Sequence, residues 1–144
     1  MIRPSKVLYT TSAIATGGRD GKVFTTDSIL NVALSTPKEL GGPGGEATNP
    51  EQLFAAGYSA CFLSALKLVA AKNKVNVPAD ANVKGTVGIG PAGAGFAIQV
   101  DLEVSLSGIE TDQAQSLVEM AHQVCPYSIA TRDNIQVNIS IAED

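Results

Sequence analysis

The sequence predicts an α+β fold, with β-sheets packed around a long central helix in the order β-β-β-α-β-β-α-(short α)-β. Three observations predict it. The stretch NPEQLFAAGYSACFLSALKLVAAKNK, starting at Asn49, is apolar over most of its circumference and has few β-branched residues. It should be helical and covered on several sides. Residues 96–106 alternate, with Ile98, Val100, Leu102, Val104 and Leu106 set against Gln99, Asp101, Glu103 and Ser105. That is a strand with one dry and one wet face. A second helical period follows in Ala114, Leu117, Val118, Ala121 and Val124 or Cys125, and strands and helices mixed in this way build layered α+β domains.

In chain order, residues 6–15 are rich in β-branched and small side chains and read as a strand. TGGRDGK supplies turn chemistry, and residues 22–26 and 29–34 read as two more short strands. STPKELGGPGGEATNP is a long glycine-rich loop; loops of this length are often functional. Two N-terminal signals suit the long helix equally: Thr48 with Glu51 as a capping box, or Asn49 as N-cap with Pro50 in the first position. The helix runs to about Lys72. Residues 83–89 and 96–106 form a hairpin. Thr111 opens the second long helix, with Asp112 in its first turn. Pro126 interrupts it, and a short helix can start there with Cys125 at its cap. Residues 136–142 close the chain as a strand, with Val137, Ile139 and Ile141 on one side.

A length of 144 residues suits one domain, 1–144. A net charge of −4 argues against a nucleic-acid or anionic-membrane surface, because phosphate binding needs clustered cations. The N-terminus lacks the apolar core of a signal peptide. The apolar run at residues 53–71 is broken by Ser59, Ser64 and Lys67, and reads as a buried helix rather than a span. The expected compartment is therefore the cytoplasm. Disulfides there are uncommon and often transient, which weakens the reading of Cys61 and Cys125 as a structural bridge.

Cys61 and Cys125 are the two cysteines of the chain, and both fall on apolar helix faces. A buried cysteine often fills space. A reactive one needs positive potential nearby. Cys61 lies mid-helix, so it gains little from the start of its own helix, and Arg3, Arg19 and Arg132 are the candidate cations. Cys125, at the start of a short helix, could feel that helix's dipole. His122 invites a Cys–His pairing, but nothing in the sequence sets it beside Cys61. No HExxH, CxxC or phosphate-binding glycine motif is present. Filler and nucleophile both stay open on this reading.

NPEQLFAAGYSACF and VCPYSIATRDNI, with GGRDG upstream, resemble the organic hydroperoxide resistance (Ohr) proteins of the OsmC-like superfamily. The resemblance runs over nearly the whole chain to IQVNISI, and the VCPYS-ATR-NI form favours this branch over the OsmC branch. It implies a thiol peroxidase acting on organic hydroperoxides, an antioxidant enzyme with no bound cofactor or metal. Carried over by position, Cys61 is the peroxidatic cysteine and Cys125 the resolving one. Arg19 and Glu51 are the charged pair tuning Cys61. The resemblance also implies an intertwined homodimer, reduced by an external dithiol on a lipoylated protein.

Glu51 and Cys61 are ten residues apart on one helix, about 15 Å along its axis. Glu51 would therefore serve Cys61 through Arg19 from the partner's helix. Leu53, Phe54, Phe62, Tyr127 and Ile129 lie near the motifs and are the expected lining for an alkyl or acyl chain. Each buried methylene is worth about 0.8 kcal/mol, so bulky hydroperoxides should outcompete hydrogen peroxide. Two rival readings are an OsmC-type peroxidase with different substrate preference and a non-catalytic carrier of apolar ligands.

Overall fold

The computed structural model describes residues 1–143. They form two compact units that meet in sequence at Pro50.

The N-terminal unit holds a three-stranded antiparallel sheet of β1 (Ala13–Thr16), β2 (Lys22–Thr25) and β3 (Asn31–Ala33). The expected first strand, residues 6–15, shrinks to Ala13–Thr16 and shifts toward its C-terminal end. The pairing partner sets this limit, because β2 offers only four residues, Lys22–Thr25, to pair with. The turn between them is a 3-10 turn, Gly18–Asp20, entered through Gly17 at φ 73°. That left-handed conformation suits glycine because it has no Cβ. The long loop after β3 is ordered locally. Lys38–Leu40 forms a second 3-10 turn, and Leu34 and Thr48 pair in a short parallel bridge that draws the loop's two ends together.

The second unit is built on α1 (Pro50–Lys72). Of the two expected starts, the helix takes the one with Asn49 preceding it and Pro50 in the first position, where a missing N–H costs nothing. By length and composition alone α1 could cross a membrane. In the structure Tyr58, Phe62, Ala65, Leu66, Val69 and Ala70 are buried along one face, at steps of three and four residues.

This face belongs to the core with β5 (Gly95–Ser105) and α2 (Thr111–Val124). β4 (Asn82–Ala92) pairs antiparallel with β5, and β6 (Val137–Ile141) pairs parallel with it. The registers align Val87–Val100–Val137, Gly85–Leu102–Ile139 and Val83–Val104–Ile141 across the sheet. The wet residues Gln99, Asp101 and Glu103 stay exposed, and Val100, Leu102 and Val104 are buried. α1 crosses the sheet at Gly85, where a Cβ would lie 3.2 Å from the Ala55 carbonyl oxygen. Glycine is what lets the helix come this close.

α2 opens on Glu110, whose carboxylate accepts from the N–H groups of Asp112 and Gln113 at 3.1 and 3.2 Å. Its buried face is Ala114, Leu117, Val118 and Ala121, with Cys125 continuing it while Val124 stays exposed. α3 (Pro126–Thr131) follows at once.

Candidate active site

Cys125 sits at the joint between α2 and α3. Its N–H closes α2 on the Ala121 carbonyl at 2.8 Å, and its own carbonyl accepts the first α3 bond from Ile129 at 2.9 Å. Pro126 explains the joint. Its ring disfavours helical geometry in the residue before it, and Cys125 is accordingly extended at φ −63°, ψ 124°. Its side chain makes no cap bond and is fully buried.

The Cys125 side chain instead meets Cys61. The two thiols are close neighbours, and neither is in a disulfide. Cys61 is half-buried on α1. Its sulfur also receives the backbone N–H of Tyr127, the second residue of α3. The N–H groups of a helix's first turn have no partner inside that helix, so the start of α3 supplies a donor to Cys61. Before folding, the dipole of this helix would be assigned to Cys125, and the structure turns its free donor to the other sulfur.

Burial pushes the Cys61 thiol above its ordinary range, and the neighbouring Cys125 pushes it the same way, against the Tyr127 N–H. The charged form loses more in leaving water than one N–H returns.

A second feature lies on the same helices and has no counterpart in the sequence reading. Tyr58, one turn before Cys61, is fully buried. Its Oη lies 2.9 Å from Ser128 Oγ and 3.1 Å from Thr131 Oγ1. His122 Nδ1 lies 2.8 Å from Ser128 Oγ. Proton counting orders the chain. Thr131 Oγ1 is 2.9 Å from the Tyr127 carbonyl, which can only accept. Thr131 therefore donates there and accepts from Tyr58, Tyr58 accepts from Ser128, and Ser128 accepts from His122 Nδ1–H. Burial and the nearby Arg132 guanidinium hold the His122 pKa below its usual value, in favour of the neutral ring.

Arg132, a candidate cation for the sulfurs, donates through Nη2 to the His122 carbonyl at the end of α2. A signal for this network was present in the sequence: a tyrosine inside an apolar helix must find a partner for its hydroxyl.

Phe54, Tyr58 and Tyr127 form an aromatic cluster with ring centroids 5.6 to 6.1 Å apart. Phe54 and Tyr127 also line an open cavity of about 620 Å³ with Phe96, Ile98, Pro126 and Ile135. Leu53 and Ile129 are half-buried and lie outside this lining, and Phe62 is fully buried in the core. Among the described residues, no three metal-binding side chains converge.

Arg19 stands in the middle of the 3-10 turn of the N-terminal unit. The turn is tied down by Asp20, whose Oδ1 accepts from the Thr36 N–H at 2.9 Å. That bond holds the Asp20 carboxyl below its usual range. Glu51 is in the first turn of α1.

A mixed fold with two small sheets, a long helix and two facing thiols defines an OsmC-like protein, and the OsmC-like family model matches residues 42–140. Within that class the chain belongs to the organic hydroperoxide resistance family. It is 53% identical over 142 residues to the organic hydroperoxide resistance protein of Xanthomonas axonopodis pv. citri, covering 99% of this chain and 100% of that one. It is 42% identical over 143 residues to OhrA of Bacillus subtilis, covering 96% and 99% of the two chains. A crystal structure of an organic hydroperoxide resistance protein from Elizabethkingia anophelis superposes with a TM-score of 0.90 at 46% identity, covering 96% of this chain and 99% of that one.

Proposed function

We propose that this protein is a thiol peroxidase that reduces organic hydroperoxides to alcohols with two cysteines. The observation that carries the reading is that Cys61 and Cys125, both free thiols, are close neighbours. The names of the relatives support the substrate class. The Cys61 thiolate attacks the distal peroxide oxygen. The O–O bond breaks, an alkoxide leaves and takes a proton, and Cys61 is left as sulfenic acid. Cys125 then attacks the Cys61 sulfur, forming the disulfide and releasing water. An external dithiol, such as that of a lipoylated protein, restores both thiols by exchange.

Ionisation alone would speed the attack little, because two opposing effects of a lowered pKa nearly cancel. A thiol of pKa about 8.5 is about 3% thiolate at neutral pH, so full ionisation gains about 30-fold. If the Brønsted slope of disulfide exchange carries over to peroxides, a three-unit fall loses roughly 20-fold in nucleophilicity. The role assigned to Arg19 is therefore to stabilise charge on the departing oxygen. Glu51 holds its guanidinium bidentately, reaching it from the partner helix of an intertwined homodimer. Support for the dimer comes from α1 itself, where Ala56, Ala60 and Ala71 are exposed and Leu68 is 51% exposed. The place of action in this reading is the cytoplasm. The cavity beside Tyr127 takes the organic group, and its lining is mostly apolar.

The test is intact mass spectrometry after one equivalent of cumene hydroperoxide. The wild type should form a Cys61–Cys125 disulfide, and Cys125→Ser should accumulate sulfenic acid at Cys61. Thiols left unchanged in both proteins overturn the peroxidase reading in favour of an apolar-ligand carrier. An equal or greater rate with hydrogen peroxide favours an OsmC-type preference.

A further inference from the structure

We propose that Tyr58 is a positioning residue whose hydroxyl ties the helix bearing Cys61 to the short helix that opens at Cys125, holding the sulfurs face to face while they join. The inference rests on the two-cysteine reading above.

α3 has six residues. Helices shorter than about 12 residues are marginal by themselves, so its position depends on what it is tied to. Ser128 and Thr131 are its buried polar residues, and both bond the Tyr58 hydroxyl, at 2.9 and 3.1 Å. Tyr58 precedes Cys61 by three residues, and Ser128 follows Cys125 by three. The tie therefore lies one helical turn from each sulfur. The His122–Ser128 bond fixes α3 to α2, the helix that Cys125 already terminates. It does not fix α3 to α1. Tyr127 packs its ring against Phe54 of α1, and the Tyr58 hydroxyl adds the directional tie, bonding two α3 side chains at once.

Two fates compete for the Cys61 sulfenic acid. In one, the Cys125 sulfur attacks the Cys61 sulfur, S–S forms, S–O breaks, and hydroxide leaves with the Cys125 proton as water. In the other, the Cys61 sulfur takes the distal oxygen of a second hydroperoxide. A second S–O bond forms, O–O breaks, the alcohol departs and sulfinic acid remains. The first fate requires the sulfurs to close to about 2.05 Å, and the second requires no approach of Cys125. A shift of the Cys125 end of α3 slows resolution more than it slows over-oxidation, because only resolution needs the second sulfur in place.

Tyr58→Phe removes the tie and leaves its partners bonded. Thr131 keeps the Tyr127 carbonyl, and Ser128 can turn its proton to His122 Nδ1. The readout is the ratio of disulfide to sulfinic protein, by mass spectrometry, over a titration of cumene hydroperoxide. The variant should reach half sulfinic protein at about one-tenth of the hydroperoxide needed by the wild type, given the steep dependence of such steps on placement. Its rate of Cys61 thiol consumption in the first turnover should match the wild type. A merely destabilised protein with intact placement would show an unchanged ratio. Should Tyr58→Phe not yield folded protein, Thr131→Val, which keeps the Tyr58–Ser128 and His122–Ser128 bonds, carries the same readout with a smaller shift. An unchanged ratio in a folded variant overturns this inference while the two-cysteine reading stands. A wild type that forms no disulfide overturns the two-cysteine reading itself.

Discussion

A Cβ on Gly57 would lie 2.8 Å from the phenolic oxygen of Tyr127 and 3.3 Å from the ring carbon that bears it. Gly57 is inside α1, where glycine is disfavoured relative to alanine by about 1 kcal/mol. Its presence there makes room for a ring whose backbone N–H meets Cys61 and whose side chain lines the apolar cavity.

Gly57→Ala should therefore gain helix propensity and lose activity. Overpacking costs about 1–3 kcal/mol, so net stability should fall by no more than about 2 kcal/mol. The displaced Tyr127 should cut kcat/KM for cumene hydroperoxide by about tenfold or more. Paired thermal melts and steady-state assays check this. Wild-type turnover in the variant would mean that the ring's placement is immaterial.

Cys125→Ala should lower the pKa of Cys61. Burial is the larger cause of its raised value, and the neighbouring thiol is the next. Removing that neighbour leaves the Tyr127 N–H to favour the thiolate against burial alone. Iodoacetamide alkylation of Cys61 against pH should show an inflection at lower pH in the variant. The opposite displacement would assign Cys125 a stabilising role toward the thiolate.

His122 should make the protein sensitive to acid. Its folded pKa is depressed, first by burial and then by Arg132. The neutral ring's contribution is therefore present above its unfolded pKa of about 6.5 and is lost as pH falls through the lower folded value. The melting temperature should hold above about pH 6.5 and drop as pH falls below it. His122→Gln should flatten that part of the curve. An equally steep fall in the variant would place the acid sensitivity elsewhere.

Arg19→Lys tests the role proposed for the guanidinium. Lysine keeps the charge and loses the planar fork. Turnover should fall about 100-fold or more, the scale of losing one transition-state donor, while Cys61 stays alkylatable. Near-normal turnover would remove Arg19 from the chemistry.

Much of the fold was legible because strong local signals fixed it. Pro50 and the apolar run marked α1, Pro126 marked the break at Cys125, and strict alternation marked β5. Residues 6–15 misled because strand composition does not supply a pairing partner, and pairing begins only at Ala13. Phe62 looked like pocket lining because helix periodicity gives spacing along a face and not what covers that face. It is core. Tyr58, Ser128, Thr131 and His122 went unread as a group. They come from three helices and meet only when those helices pack.

By itself the sequence determined the order of elements, the helical setting of both cysteines and the family motifs, since these depend on neighbours along the chain. Only the tertiary structure decided that the two sulfurs, 64 positions apart, are neighbours, that an N–H of α3 serves Cys61, and that Tyr58 joins their helices. Hydrogen bonds and desolvation act over a few ångströms of space, and the packing of α1 against α3 sets those distances.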